Sequence, residues 1–469
     1  RSADVPFGAA MTQTPLYQVT DPATGAVGPT FDFATDAEVE QALAATTAAF
    51  AEWRKRPVAE RAAIVKKIGQ LFSERQTELA AIITKEMGKR PAAAVGEAQF
   101  CTAIFGYYAD NGPGLLADKP LPGRDEARVE YLPVGPVLGV MPWNYPYYQV
   151  ARFAAPNLVA GNTVILKHAE NCPTSALAIA QLMKDAGVPD GVYVNIFATH
   201  EQVATMIADK RLRGVSLTGS ERAGTVVAET AGRNLKKVVL ELGGSDPYII
   251  LDSADVDGAA KTAWLTRMEN VGQACNSNKR MIVMDDVYDG FVAALVKRAS
   301  AMTPREPGDD SGRSYSPMVS RKAAENLLAQ VQDAVSKGAT LHVGGTLADG
   351  DGAYFAPAVL TGVTPEMRAY TEELFGPVAV VYKVTSDEEA VQLANVVDFG
   401  LGGAVFSTDT ERASRVAEQL EVGMANVNTP QGEGADLPFG GTKRSGFGRE
   451  LGPLGIDEFV NKRLFYTAK

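Results

Sequence analysis

Five short apolar runs, separated by helical patterns, fill residues 135–243 and limit what this stretch can fold into. They are Val137-Leu-Gly-Val-Met, Thr163-Val-Ile-Leu-Lys, Val192-Tyr-Val-Asn-Ile-Phe, Gly214-Val-Ser-Leu-Thr and Val238-Val-Leu-Glu-Leu. Helical spacing falls between them at about 149–160, 173–187, 200–210 and 221–232. Short buried strands alternating with helices predict a parallel, doubly wound sheet. A second α/β series begins near 247, with strands at Pro247-Tyr-Ile-Ile-Leu, Met281-Ile-Val-Met, Val378-Ala-Val-Val-Tyr and Gly403-Ala-Val-Phe-Ser. Helices are expected beside these strands at about 286–302, 319–337 and 409–420.

The flanks read differently. Residues 36–90 have helical spacing that opens with Asp36 as a capping residue, and 91–111 continue as helix with Cys101 inside. Pro and Gly punctuate 112–134, where Ala127-Arg-Val-Glu-Tyr-Leu alternates like an exposed strand. Arg463-Leu-Phe-Tyr-Thr-Ala looks like a strand with no sequence neighbour. It must pair elsewhere, and a free strand edge is a template for dimerisation. Residues 1–10 precede Met11 and read like a vector-derived extension.

Charge and cysteine content exclude several functions. Lys+Arg 45 against Asp+Glu 56 gives a net charge of −11, which offers no footprint for nucleic acid or an anionic membrane. No apolar run approaches the ~20 residues of a membrane helix. The longest candidate, Tyr131 to Trp143, is broken by Pro133, Pro136 and Pro142. The three cysteines, Cys101, Cys172 and Cys275, form no metal-binding spacing and no disulfide framework. The expectation is a cytoplasmic protein with no metal, nucleic-acid or membrane partner.

Three places could carry chemistry. Cys275 lies in Asn270-Val-Gly-Gln-Ala-Cys-Asn-Ser-Asn-Lys-Arg, a polar segment unlike the apolar surroundings of a buried structural thiol. A nucleophilic role requires activation, because a free thiol is mostly protonated at neutral pH. His168, His200 and His342 sit in no distinctive motif, so a Cys–His arrangement is disfavoured. Glu241 ends an apolar strand just before a glycine pair. It is either a strand-end carboxylate reaching solvent or a general base with a raised pKa. Leu217-Thr-Gly-Ser-Glu-Arg-Ala-Gly puts Gly219 and Ser220 at a strand–helix turn, which suits a diphosphate or is simply a tight turn.

Together these pieces resemble the NAD(P)-dependent aldehyde dehydrogenases from about residue 17 onward. The motifs are Pro142-Trp-Asn-Tyr-Pro, Leu240-Glu-Leu-Gly-Gly, Gly272-Gln-Ala-Cys, Glu372-Glu-Leu-Phe-Gly-Pro-Val and Pro438-Phe-Gly-Gly-Thr-Lys-Arg-Ser-Gly-Phe-Gly-Arg-Glu. Gln149-Val-Ala-Arg-Phe-Ala and Leu166-Lys-His-Ala look closest to bacterial succinate-semialdehyde dehydrogenases. The resemblance implies an α/β fold with a Rossmann-like NAD-binding domain over 11–116 and 135–243 and a second α/β catalytic domain over 244–451. A small β bridging and oligomerisation element would join 117–134 to 452–469, in a homodimer or homotetramer.

The resemblance also implies roles. Cys275 attacks the aldehyde and Asn144 donates to the oxyanion. Hydride transfer then leaves a thioester, which water activated by Glu241 hydrolyses. Trp143, Lys167, Glu170, Gly219, Ser220, Glu373 and Phe375 match cofactor contacts. Glu170 can accept from both ribose hydroxyls and repels a 2′-phosphate, so NAD is expected over NADP. Arg152 matches an arginine that binds a semialdehyde's carboxylate, and Tyr148 lies in the tunnel motif. Glu269 stands where some members have a second arginine, and Glu433 lies in the loop that often carries hydroxyls. The expected reaction is NAD-dependent oxidation of a small aldehyde, succinate semialdehyde first. If Glu269 points inward, a neutral, aromatic or aminoaldehyde substrate becomes reasonable. A non-catalytic NAD-binding protein is the alternative of another class, and the joint presence of Cys275, Asn144 and Glu241 argues against it.

Overall fold

A computed structural model describes residues 16–468, so the extension expected at 1–10 lies outside the described residues. The first strand–helix series forms a six-stranded sheet. Its spatial order is Gly446–Phe447, Lys237–Glu241, Gly214–Thr218, Pro136–Val140, Thr163–Lys167 and Tyr193–Asn195. The last five strands are parallel, and Gly446–Phe447 runs antiparallel at one edge. In chain order the parallel strands are arranged 3-2-1-4-5. The order therefore reverses between Pro136–Val140 and Gly214–Thr218. At such a switch point the loops leaving the carboxyl ends of the strands diverge and open a crevice.

Successive residues of these strands serve opposite cores, because side chains alternate across a sheet. Leu138, Ile165, Val215 and Leu240 pack on one face. Val137, Val164, Leu166 and Val239 pack on the other, against the helices Val58–Glu74, Pro91–Leu115 and Tyr148–Ala160. Burial on both faces explains the continuous apolar runs in the sequence.

The second series forms a seven-stranded sheet. Its order is Thr340–Val343, Ala358–Thr361, Val378–Val384, Arg280–Met284, Pro247–Ile250, Gly402–Phe406 and Met424–Val427. Only the Thr340–Val343 pairing is antiparallel. A third, antiparallel sheet joins Lys119–Leu121 and Arg124–Pro133 to Val460–Tyr466. The terminal strand thus finds its neighbour 333 residues earlier, where Arg463 pairs with Glu130. Its other edge is open, with Leu464, Phe465 and Tyr466 exposed.

Several expectations are corrected. The stretch 36–90 is three helices, Asp36–Trp53, Val58–Glu74 and Gln76–Met87, interrupted by Pro57 and Arg75. Its cap is Thr35, not Asp36: Thr35 and Glu38 close a capping box. The strand expected over 192–197 shrinks to Tyr193–Asn195. The hairpin Tyr17–Thr20/Val27–Phe31, the helix Val256–Met268 and the strands Ala358–Thr361 and Met424–Val427 were not anticipated. No helix among the described residues is long and apolar enough to cross a membrane.

Asn162, fully buried, fastens the entrance of the first sheet. Its Oδ1 accepts from the backbone of Val134 and Gly135, at 2.8 and 3.1 Å. Its Nδ2 donates to Asn157 Oδ1 at 3.0 Å and to the Phe459 carbonyl at 2.8 Å. Asn162→Ala leaves these groups buried without their partner, and is expected to cost about 2–4 kcal/mol. Urea unfolding followed by tryptophan fluorescence checks this; an unchanged midpoint rejects it.

Candidate active site

Cys275 follows a backbone segment that few sequences tolerate. Asn270, Val271 and Gly272 are consecutively left-handed, with φ of 48°, 56° and 75°. A β-branched residue such as Val271 is costly there and needs outside support. Arg267 supplies it. Its fully buried guanidinium donates to the carbonyls of Gly272 (3.1 Å), Leu374 (2.6 Å) and Val378 (2.8 Å), and to Ser277 Oγ (2.9 Å). Gly272 must be glycine, since a Cβ would overlap the Gly376 carbonyl as well as meet a left-handed φ. Beyond the cysteine, Lys279 donates to the carbonyls of Gly244 (2.8 Å), Ala274 (2.8 Å) and Cys275 (2.9 Å).

The thiol is half-buried and lines a cavity of about 450 Å³. Phe100, Tyr145, Tyr148, Leu437 and Phe439 form apolar walls, and Glu269, Glu433 and Gln431 add polar ones. Burial pushes the Cys275 thiol up to about 12, with Arg152 and Lys279 opposing. Asn144 is 4% exposed and donates its Nδ2 to the Gln273 carbonyl at 3.2 Å, two residues before the thiol. Tyr145 donates to Glu269 Oε1 at 3.3 Å. Solvent reaches Glu269, yet the surrounding protein desolvates its carboxyl and Glu433 adds like charge. Together these raise its pKa against the opposing Tyr145 hydroxyl and Lys89.

Arg152 departs from expectation. It is fully buried and absent from the cavity lining. Its Nε donates to Glu450 Oε2 at 3.1 Å, and its guanidinium lies 4.4 Å from the Phe439 ring centre and 5.0 Å from that of Tyr148. The aromatic wall therefore separates it from the cavity, and Glu450 already occupies it. Glu269 does not pair with it. Lys89, missed in the sequence, does line the cavity. It sits in a Gly-Lys-Arg-Pro stretch that reads as a helix end, and nothing local marks it.

Glu241 is 1% exposed, and neither carboxyl oxygen has a hydrogen-bond partner among the described residues. Burial raises its pKa well above the usual carboxylate range; Arg152 opposes this and Glu450 adds to it. It lies near the thiol, whose pKa it helps to raise, though it is not on the cavity lining.

The cofactor candidates gather along the crevice. Lys167 ends the strand Thr163–Lys167 and donates to Glu170 Oε1 at 2.9 Å; His200 Nε2 lies 3.0 Å from the same oxygen. Burial opposes ionisation of Glu170, but His200 and Lys167 outweigh it and hold the carboxyl down at about 2. Ser220 caps the helix Glu221–Arg233, accepting from Ala223 at 3.2 Å. Gly219 precedes it, and a Cβ there would meet only Leu217, so the backbone is open to close approach. Glu373 pairs with Lys279 at 2.9 Å and accepts from the Gly244 backbone at 3.1 Å. Trp143 meets Phe375 edge to face, with ring centres 5.7 Å apart. This donor set fits a dinucleotide: a helix N-terminus for the diphosphate, ionised Glu170 for ribose hydroxyls, and an aromatic pair with Glu373 on the Cys275 side. No group of three or more His, Cys, Asp or Glu among the described residues is arranged to hold a metal.

Comparison with known proteins identifies relatives of the whole chain. The profile of the aldehyde dehydrogenase family matches residues 9–464. A succinate-semialdehyde dehydrogenase [NADP(+)] of Deinococcus radiodurans is 53% identical over 460 residues, covering 98% of this chain and 96% of the relative. The corresponding enzyme 1 of Mycobacterium tuberculosis is 41% identical, covering 96% and 99%. A crystal structure of succinic semialdehyde dehydrogenase from Streptococcus pyogenes, in complex with NADP+, superposes with a TM-score of 0.92 at 41% identity, covering 97% of this chain and 100% of the other.

A thiol pushed up to about 12 is almost wholly protonated at neutral pH, so its thiolate fraction grows about tenfold per pH unit well below that value. In the protein without dinucleotide, alkylation of Cys275 by iodoacetamide is expected to rise about tenfold per unit from pH 7 to 9 without a plateau. Mass spectrometry of the labelled peptide reads the rate; a plateau near pH 7–8 contradicts it.

Proposed function

This chain belongs to the aldehyde dehydrogenase family, and we propose that it oxidises a small aldehyde to a carboxylic acid with NAD, through a covalent bond to Cys275. It is an oxidoreductase that uses a pyridine nucleotide. The observation that carries the reading is Cys275 at an aromatic cavity, with the Asn144 amide held beside its loop.

Cys275 Sγ adds to the aldehyde carbon, and the oxygen takes up negative charge in the thiohemiacetal. Asn144 Nδ2 and the Cys275 backbone N–H donate to it; one such preorganised donor contributes about 3–4 kcal/mol. A nicotinamide held beside Glu373 and the Trp143–Phe375 pair would supply the hydride acceptor that converts the thiohemiacetal into a thioester. Glu241, in its ionised form, then takes a proton from the attacking water as its oxygen bonds to the thioester carbon, and the C–S bond breaks to release the carboxylic acid and the Cys275 thiolate. The apolar surroundings of Glu241 suit a base working near neutral pH, and it must turn toward the thioester to act. The thiolate needed for attack is scarce in the free protein, so a positive nicotinamide beside it would favour ionisation.

Glu170 supports NAD. With its pKa held near 2, it stays ionised throughout the physiological range and can accept from both ribose hydroxyls, while Lys167 and His200 against the same carboxylate offset part of its repulsion of a 2′-phosphate. The relatives' names give NADP(+), so the preference rests on this chain's own carboxylate. Those names support succinate semialdehyde as substrate. One observation favours a second reading, a neutral or amino aldehyde: Arg152 is taken by Glu450, while Glu269 and Glu433 line the cavity. The open edge of Val460–Tyr466 supports a homo-oligomer, the three free cysteines suit a reducing cytoplasm, and the two larger sheets support separate cofactor and catalytic domains.

Initial rates of reduced-cofactor formation test the reading. NAD is expected to exceed NADP by about tenfold or more in kcat/KM. Glu170→Ser should reverse the preference, and Cys275→Ala should abolish turnover; activity in Cys275→Ala refutes the covalent route. Glu269→Gln should raise kcat/KM for succinate semialdehyde relative to butanal by about three- to tenfold, as removing a like charge predicts. An unchanged ratio means that Glu269 does not face the bound tail.

A further inference from the structure

Lys89 and Glu97 lie outside every motif that carries the family resemblance, yet they grip the segment that bears Asn144. Gly88, left-handed at φ 85°, ends the helix Gln76–Met87, and Lys89 follows it into the interior. Glu97 comes from the helix Pro91–Leu115. The two side chains form a fully buried ion pair, 1% and 2% exposed. Burying such a pair is expensive and a poor route to stability, so its contacts are informative.

Those contacts converge on residues 144–148. Lys89 Nζ donates to the Asn144 carbonyl at 2.9 Å and stands 3.7 Å from the centre of the Tyr145 ring. Glu97 Oε2 accepts from the backbone N–H groups of Tyr147 (2.7 Å) and Tyr148 (3.2 Å). These start the helix Tyr148–Ala160, which has no side-chain cap of its own. Glu97 is therefore a cap delivered from another helix, with its negative charge at the favourable end of the dipole.

The consequence falls on Asn144. Its carbonyl is fixed by Lys89 and also by Asn270 Nδ2 at 2.9 Å. Its Oδ1 accepts from Tyr145 N–H at 3.1 Å, so its Nδ2 is the end that faces the cysteine loop. With the peptide plane and the following helix both held, little freedom remains in the amide's direction. We propose that the Lys89–Glu97 pair is a positioning element that aims the Asn144 amide at the reacting oxygen. This rests on Asn144 as the oxyanion donor.

Single-turnover NADH formation from butanal and NAD tests this in the full chain, with Glu97→Gln, Asn144→Ala and the double variant. Glu97→Gln keeps the side chain's shape and an acceptor for the two N–H groups, and titration of NADH fluorescence verifies that each variant is folded. Glu97→Gln is expected to slow the step about tenfold or more with NADH affinity unchanged, since small misplacements cost that much. Asn144→Ala should slow it about a hundredfold or more. In the Asn144→Ala background, Glu97→Gln should cost less than about twofold, because the group it positions is gone. Losses that multiply in the double variant, or an unchanged rate in Glu97→Gln alone, overturn the proposal while leaving Asn144's role intact. A full rate in Asn144→Ala overturns both. Lys89→Met/Glu97→Gln, which removes both charges together, should remain folded and stay as slow as Glu97→Gln; recovery of the full rate also overturns it.

Discussion

One buried ammonium ties together the loops that lead into three neighbouring strands of the second sheet, Pro247–Ile250, Arg280–Met284 and Val378–Val384. Lys279 donates to carbonyls at 244, 274 and 275 and pairs with Glu373. Gly244 follows the strand that ends in Glu241, Cys275 is the candidate nucleophile, and Glu373 lies on the cofactor side. A compact charge with three rotatable donors can gather carbonyls from different directions, which a planar guanidinium cannot do as freely. Burying it demands near-complete satisfaction, and the four partners at 2.8–2.9 Å provide that. The separation between candidate base, thiol and cofactor edge is therefore fixed by this ammonium, through three carbonyls and the Glu373 carboxylate, together with the strand pairing below it. Arg267 serves the same loop from behind, where it offsets the strain of three consecutive left-handed residues.

Charge at the site is sorted by partnership as much as by burial. Cys275, Glu241 and Glu170 are all substantially desolvated. For the first two, burial prevails and the neutral form is favoured, because nearby cations only partly compensate. Glu170 ends near 2 because Lys167 and His200 both contact its carboxylate. On the proposed mechanism, proton-carrying groups thus stand where protons must move, and an ionised carboxylate stands where ribose hydroxyls would bind. The same residue types, carboxyl and carboxyl, diverge by environment alone.

Elements whose identity rests on local pattern were legible in the sequence. The strands Thr163–Lys167 and Gly214–Thr218 match their apolar runs residue for residue, since burial on both faces leaves little choice. Cys275 stood out because its neighbours are polar, and Glu241 because a carboxylate ends an apolar strand. What was not legible depends on distant partners. Arg152 reads as an available cation until Glu450, 298 residues later, is placed against it. Nothing local in the sequence marks Glu97, whose partners Tyr147 and Tyr148 arrive from about 50 residues away. The helix Val256–Met268 was missed because its outward face mixes Lys261, Thr262 and Leu265 with no clear stripe, though it carries Arg267 and leads directly into Glu269.

The Arg152–Glu450 pair also governs how the cavity meets charge. An isolated guanidinium behind an aromatic wall would still attract an anion through the protein, because low polarizability leaves its field weakly screened. A guanidinium hydrogen-bonded to a carboxylate is instead a dipole, whose field decays faster with distance. At the cavity, Glu97 offsets Lys89 in the same way. Once both pairs are set aside, the charged groups remaining on the lining are Glu269 and Glu433. For an anionic tail to engage Arg152, Tyr148 or Phe439 would have to yield its place over the guanidinium and Glu450 would have to share it, which leaves a buried carboxylate less satisfied. A neutral tail requires neither change, and a cationic one gains from the carboxylates already there. Charge selection in this pocket therefore follows from which of its ions are already paired, not from which ionisable residues it contains.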